Sequence, residues 1–113
     1  MLLPEFDENG KIKHKGELFT AIKELDSKLD ELGIPHEMRE HFDGYQICVP
    51  AHLERRWEGD AIQTSVSYGA EQNLIEVWGF NLHEPEGFLT ADEALEYFIT
   101  WHEKEKRSNK NEA

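Results

Sequence analysis

The stretch Met38-Arg-Glu-His-Phe-Asp-Gly-Tyr-Gln-Ile-Cys-Val-Pro50 decides the fold. Before the Asp43-Gly44 dipeptide, Met38 and Phe42 alternate with Arg39 and His41, and after it Tyr45, Ile47 and Val49 alternate with Gln46 and Cys48. Alternation with period two marks half-buried strands, and Asp-Gly tolerates the positive φ angles of a tight turn, so the two runs predict a β-hairpin. A two-residue loop at Asp43-Gly44 sets Phe42 opposite Tyr45 and Met38 opposite Val49. The same register sets Glu40 beside Ile47 on the apolar face, which a place at the sheet edge or a longer loop would relieve. Pro50 cannot donate to a ladder and ends the second strand.

Working outward, residues 51–60 read as a connection. Ile62, Thr64, Val66 and Tyr68 then alternate with Gln63, Ser65 and Ser67 as a third strand, and residues 69–73 form a turn. Residues 74–80 are rich in β-formers on both faces and read as a central fourth strand. Residues 81–89, with Pro85 and Gly87, read as a loop. Upstream, Leu18, Ile22, Leu25, Leu29 and Leu32 recur at helical spacing, with Gly33 as a C-terminal stop. Downstream, Thr90-Ala-Asp-Glu93 matches a capping box, and Ala91, Ala94, Leu95, Phe98 and Trp101 line one stripe of a second helix. Helix, four-stranded antiparallel meander of two hairpins, helix: this is an α+β chain. Both helices are expected on one face of the sheet, leaving Gln46, Gln63, Ser65 and Ser67 on an open face. Residues 1–107 are read as one domain with an irregular segment at 1–15, and residues 108–113 as a disordered tail.

Charge narrows the function. The chain has 113 residues with 24 acidic against 12 basic ones, a formal net charge of −12. Such a charge repels phosphates, and the one basic run, at residues 104–110, is interrupted by Glu105, so direct nucleic-acid binding is not expected. No apolar run is long enough for a membrane span or a signal-peptide core, so no membrane partner is expected. The single cysteine, Cys48, has no intrachain partner and fits a reducing, cytoplasmic setting.

Little in the sequence carries chemistry. The six histidines show no metal-binding spacing: His36 and His41 would point to opposite faces of a strand, and His52, His83 and His102 lie on other elements. No metal and no cofactor are expected. Cys48 with Arg39 and His41 is a conceivable nucleophile, but a small residue in a strand is more often simply packed, and the reading is non-enzymatic. Phosphate-cradling glycine loops are absent. Arg55-Arg56-Trp57 is the one place where adjacent cations and an indole could grip an anionic or planar ligand, with Tyr45 and Tyr68 adding stacking. Glu84, Glu86, Asp92, Glu93 and Glu96 form an acidic cluster that could steer a basic partner protein. Its bland reading is a solvated face with an acidic first helical turn.

The run from His41 to Pro50, together with Ser67-Tyr-Gly69, Leu74-Ile-Glu-Val-Trp-Gly79 and Gly87-Phe-Leu-Thr-Ala91, resembles small proteins encoded by phages and prophages of Gram-positive bacteria. The shared motifs are turns and caps, and the resemblance implies a setting, not an activity. The expected role is a small acidic accessory protein that binds or inhibits a host protein in the host cytoplasm, with a homodimer through an open face or edge left open. The alternatives are a binder or sponge for a nucleotide-like ligand, and a structural role with no ligand.

Overall fold

The computed structural model describes residues 5–51 and 57–111. Five strands, β1 (Glu37–His41), β2 (Gly44–Val49), β3 (Gly59–Gln63), β4 (Ile75–Gly79) and β5 (Glu86–Leu89), form one antiparallel sheet in sequence order. Two helices, α1 (Thr20–Glu31) and α2 (Ala91–Asn111), flank it in the chain. Met38, Ile47, Ala61 and Val77 stand side by side across four strands. With Val49 and Ile75 they meet Ile22, Leu25 and Leu29 of α1 and Ala94 and Phe98 of α2 in a single core. Both helices therefore share one face, with α1 over β2 and β3 and α2 over β4 and β5. Among the described residues no helix is long and apolar enough to cross a membrane.

Gln63, Ser65 and Ser67, expected on the open face, are instead buried, with Gln63 turned toward α1 and Ile62 facing outward. Three further sequence expectations need correction. First, the β1–β2 turn is Phe42-Asp43: His41 pairs with Gly44, Glu40 with Tyr45 and Met38 with Ile47. Phe42 takes the positive φ of +57°. The glycine is used for space instead, because a Cβ on Gly44 would run into the backbone carbonyl of Gln63. Second, β3 ends at Gln63, and Thr64 and Ser67 fold the chain back by bonding each other. Hydroxyls that bond nearby backbone compete with the ladder, which the alternation pattern alone does not register. Third, the sheet has five strands, because Leu89 pairs with Ile75 and Glu86 with Val77 across a register irregularity. Pro85 and Gly87 pointed to a loop, and a short, irregular edge strand is where such residues are tolerated.

The helices are held in different ways. The residue before α1 is Phe19, which has no side chain able to cap it. Its free amides are met from far along the chain: the Ala21 N–H donates to Asn73 Oδ1 (3.2 Å) and the Ile22 N–H to Gln63 Oε1 (3.0 Å). Gln63 Nε2 in turn donates to Asn73 Oδ1 (2.7 Å), and Asn73 Nδ2 to Thr20 Oγ1 (2.6 Å). Ala21, Ile22, Leu25 and Leu29 are buried, whereas Leu18 and Leu32, expected in the same stripe, are exposed beyond the helix ends. At the far end the Gly33 N–H donates to Asp30 O and the Ile34 N–H to Leu29 O, with Gly33 at φ +69°. This is a Schellman stop, and it drives the buried Ile34 into the core. α2 begins with the expected capping box: the Glu93 N–H donates to Thr90 Oγ1 (3.2 Å) and the Thr90 N–H to Glu93 Oε1 (3.0 Å). It runs through residues 108–111, which the sequence reading assigned to a tail.

The remote cap is buried and the capping box is exposed, so their losses should differ. Gln63→Leu strands the Ile22 amide and should cost about 2–3 kcal/mol, against about 1 kcal/mol for Thr90→Ala, in urea denaturation at neutral pH. Equal losses would show that Gln63 is not holding α1.

Candidate functional site

Strand alternation sends Ile47, Ala61 and Val77 to the helices and their neighbours Gln46, Asp60, Ile62, Glu76 and Trp78 to the opposite face. Among the described residues neither helix packs on that face, although Gln46, Cys48 and Asp60 on it are buried. Across its floor runs a hydrogen-bonded line from three adjacent strands: Arg39 Nε donates to Gln46 Oε1 (3.0 Å), and Gln46 Nε2 donates to Asp60 Oδ2 (2.6 Å). His41, Ile62, Val66, Tyr68, Glu76, Trp78 and Pro85 complete a groove of about 500 Å³. Trp57 stands against Trp78 edge to face, with ring centroids 6.0 Å apart. Trp57, Tyr68 and Trp78 are 46%, 52% and 49% exposed. Trp57 packs on Trp78 and Tyr68 lies over Gly87, but about half of each ring stays in water, and exposed apolar patches of this kind often mark contact surfaces.

Asp60 adds an energetic argument. Burial raises its carboxyl above the ordinary range, against the lowering effects of the Gln46 hydrogen bond and of His41. A carboxyl raised in the fold favours folding when protonated, and its contribution is lost as pH climbs from the ordinary carboxylate range through the raised value. Ionising this carboxyl therefore opposes folding, and it lies on the face opposite the helices. Groups kept at such a cost concentrate in functional sites.

Cys48 lies on the same face, wholly buried, between Glu37 and Asp60 in the ladder. Burial pushes its thiol up to about 11, and the nearby Arg39 only partly offsets this. At neutral pH the thiolate is then on the order of one part in ten thousand, so Cys48 is no nucleophile there.

The residues singled out in the sequence are only partly brought together. Trp57 and Tyr68 belong to the open face. Tyr45 lies on the helix side, with the Lys23 ammonium 5.6 Å from its ring centre and His14 at its edge. Arg55 and Arg56, with His52, lie outside the described residues. Of the acidic cluster, Asp92 bridges to Lys28 (3.0 Å), whose ammonium it holds above the ordinary lysine value, and Glu93 closes the α2 cap. Glu96 lines a second cavity of about 300 Å³ with Phe80, Tyr97 and Trp101, and Glu84 and Glu86 stay exposed. Gln46 is legible in the sequence as an open-face residue and Arg39 only as a neighbour of Cys48, whereas Asp60 falls in an expected connection and Trp78 on a strand that is apolar on both faces. Only the observed register joins them.

No protein-family model, no curated protein and no solved structure matches this chain. We expect Asp60→Asn to raise the melting temperature at pH 7, with the gap to the parent protein closing below about pH 4, where both side chains are neutral. A lower melting temperature at pH 7 would show that the Asp60 charge stabilises the fold. Cys48 should resist a disulfide-exchange thiol reagent at neutral pH until denaturant is added, and rapid labelling of native protein would contradict its burial.

Proposed function

We propose that this chain is a non-enzymatic binding protein whose open sheet face docks on a partner protein. The observation that carries the reading is the cluster of half-exposed Trp57, Trp78 and Tyr68 around the Arg39–Gln46–Asp60 line, in which Gln46 and Asp60 are buried and Arg39 is exposed. Aromatics supply large contact area at small entropic cost, and a hydrogen-bonded polar floor supplies register. Glu37, Asp60 and Glu76 on this face and the net charge of −12 favour a partner surface that presents basic residues around an apolar anchor. The unreactive Cys48 thiol removes one catalytic alternative. The resemblance to phage-encoded proteins points to host proteins as the class of partner, and we extend the proposal to an accessory protein that binds or inhibits one of them.

A second reading, a small-ligand binder, has the groove of about 500 Å³ in its favour, a size typical of ligand sites. Its acidic floor disfavours phosphates, so a nucleotide-like ligand would have to bind through its base, between the tryptophans.

Affinity capture from host lysate, compared between the parent protein and a Trp57→Ala/Trp78→Ala double variant, separates these readings. Both indoles are half-buried and pack on each other, so the variant should lose some stability, and capture is compared at a temperature where its circular dichroism shows it folded. We expect the captured protein to be lost with the double variant and to weaken between low and high salt. A partner retained equally by the double variant would contradict docking on this face. Stabilisation by a nucleoside without any captured protein would favour the second reading.

A further inference from the structure

On the helix side of the fold, away from the open face, Asp26 and Asp30 stand one turn apart on α1, and the Schellman stop at Gly33 returns the chain so that His36 comes back beside both. The His36 side chain is only 6% exposed. Its Nδ1 lies 2.7 Å from the Ile34 carbonyl oxygen, which can only accept, so Nδ1 donates to it. Nε2 is thereby turned toward Asp26 Oδ1 (2.7 Å) and Asp30 Oδ1 (3.6 Å), and its contact with Asp26 is a hydrogen bond when Nε2 carries a proton. One imidazole nitrogen and two carboxylate oxygens are gathered there, and a metal cation would bind by displacing that proton.

We propose that Asp26, Asp30 and His36 form a zinc site. A backbone carbonyl holding one imidazole nitrogen and turning the other toward carboxylates is the arrangement that orients a metal-ligating histidine. The three ligand atoms lie within 4.8 Å of one another. Zinc bonds of about 2.0–2.1 Å require tetrahedral edges of about 3.3 Å. The Nε2–Asp30 separation is close to that already, and Asp26 needs only a side-chain rotation to open its contact. Asp30 is 71% exposed, so the fourth position faces water. The local field also favours occupancy: Asp30 and Glu31 lie in the last turn of α1, where the helix dipole disfavours negative charge and a bound cation would offset both. Imidazole with carboxylate suits zinc, whereas magnesium prefers all-oxygen sites.

The test is calorimetric titration of zinc into the untagged, chelator-treated protein at pH 7, with magnesium as the contrast. We expect one zinc per chain with micromolar or tighter affinity, no comparable magnesium binding, and a melting temperature that rises with zinc concentration. Asp30→Asn alters an exposed side chain and should leave the metal-free melting temperature unchanged while weakening zinc about tenfold or more. His36→Gln should abolish the stoichiometric site. If the protein takes up no zinc below about 100 μM, or if Asp30→Asn and His36→Gln bind it as the parent does, the three residues are an ion pair and not a metal site.

Discussion

The Gln63 side chain is the joint on which the architecture turns. Buried at the end of β3, it caps the Ile22 amide of a helix 41 residues earlier and grips Asn73, which caps the preceding Ala21 amide and holds Thr20. A helix preceded by Phe19 has no local means of satisfying its first amides, so α1 must start where Gln63 and Asn73 can reach it. That requirement places α1 against β2 and β3. Asp43 strengthens the same region from the other side, because its buried carboxylate accepts from both the backbone amide and the hydroxyl of Ser65. The β1–β2 turn and the start of α1 are thus each tied by side-chain hydrogen bonds to the segment at the end of β3, through Asp43–Ser65 and through Gln63.

The open face follows from this arrangement. Once α1 and the box-capped α2 occupy one side of the sheet, both helices are used and the opposite residues of β1 to β4 face outward. A chain selected only for stability would cover or neutralise that surface. Here it carries half-exposed indoles and a desolvated carboxylate, features that oppose stability and solubility and that contact with a partner would relieve.

Much of this was legible in the sequence, and the failures share a cause. The helix around Ile22, Leu25 and Leu29, the Gly33 stop, the Thr90 box and the first hairpin were written in local periodicity and capping chemistry. Strand register was not, because it depends on contacts between distant segments: the turn falls on Phe42-Asp43, where the Gly44 backbone lies against Gln63 and the Asp43 carboxylate is bonded to Ser65. Moving the turn by one residue shifts every pairing by two, from Met38–Val49 to Met38–Ile47, and that shift hid the Arg39–Gln46–Asp60 line. β5 escaped because its pairing with β4 overrides a sequence whose Pro85 and Gly87 signal a loop. The Asp26–Asp30–His36 group escaped for a similar reason: His36 was weighed against His41 along a strand, whereas the helix stop folds it back onto α1.

The central claim is that binding occurs on the uncovered sheet face. The chain holds three tryptophans, and they divide by location: Trp57 and Trp78 on that face, Trp101 on α2 beside the second cavity. Their indole N–H resonances are therefore three separate reporters. In a titration of the labelled protein with its captured partner, the account predicts that the Trp57 and Trp78 signals shift or broaden together while Trp101 stays in place. A titration in which Trp101 moves and the other two do not would contradict it.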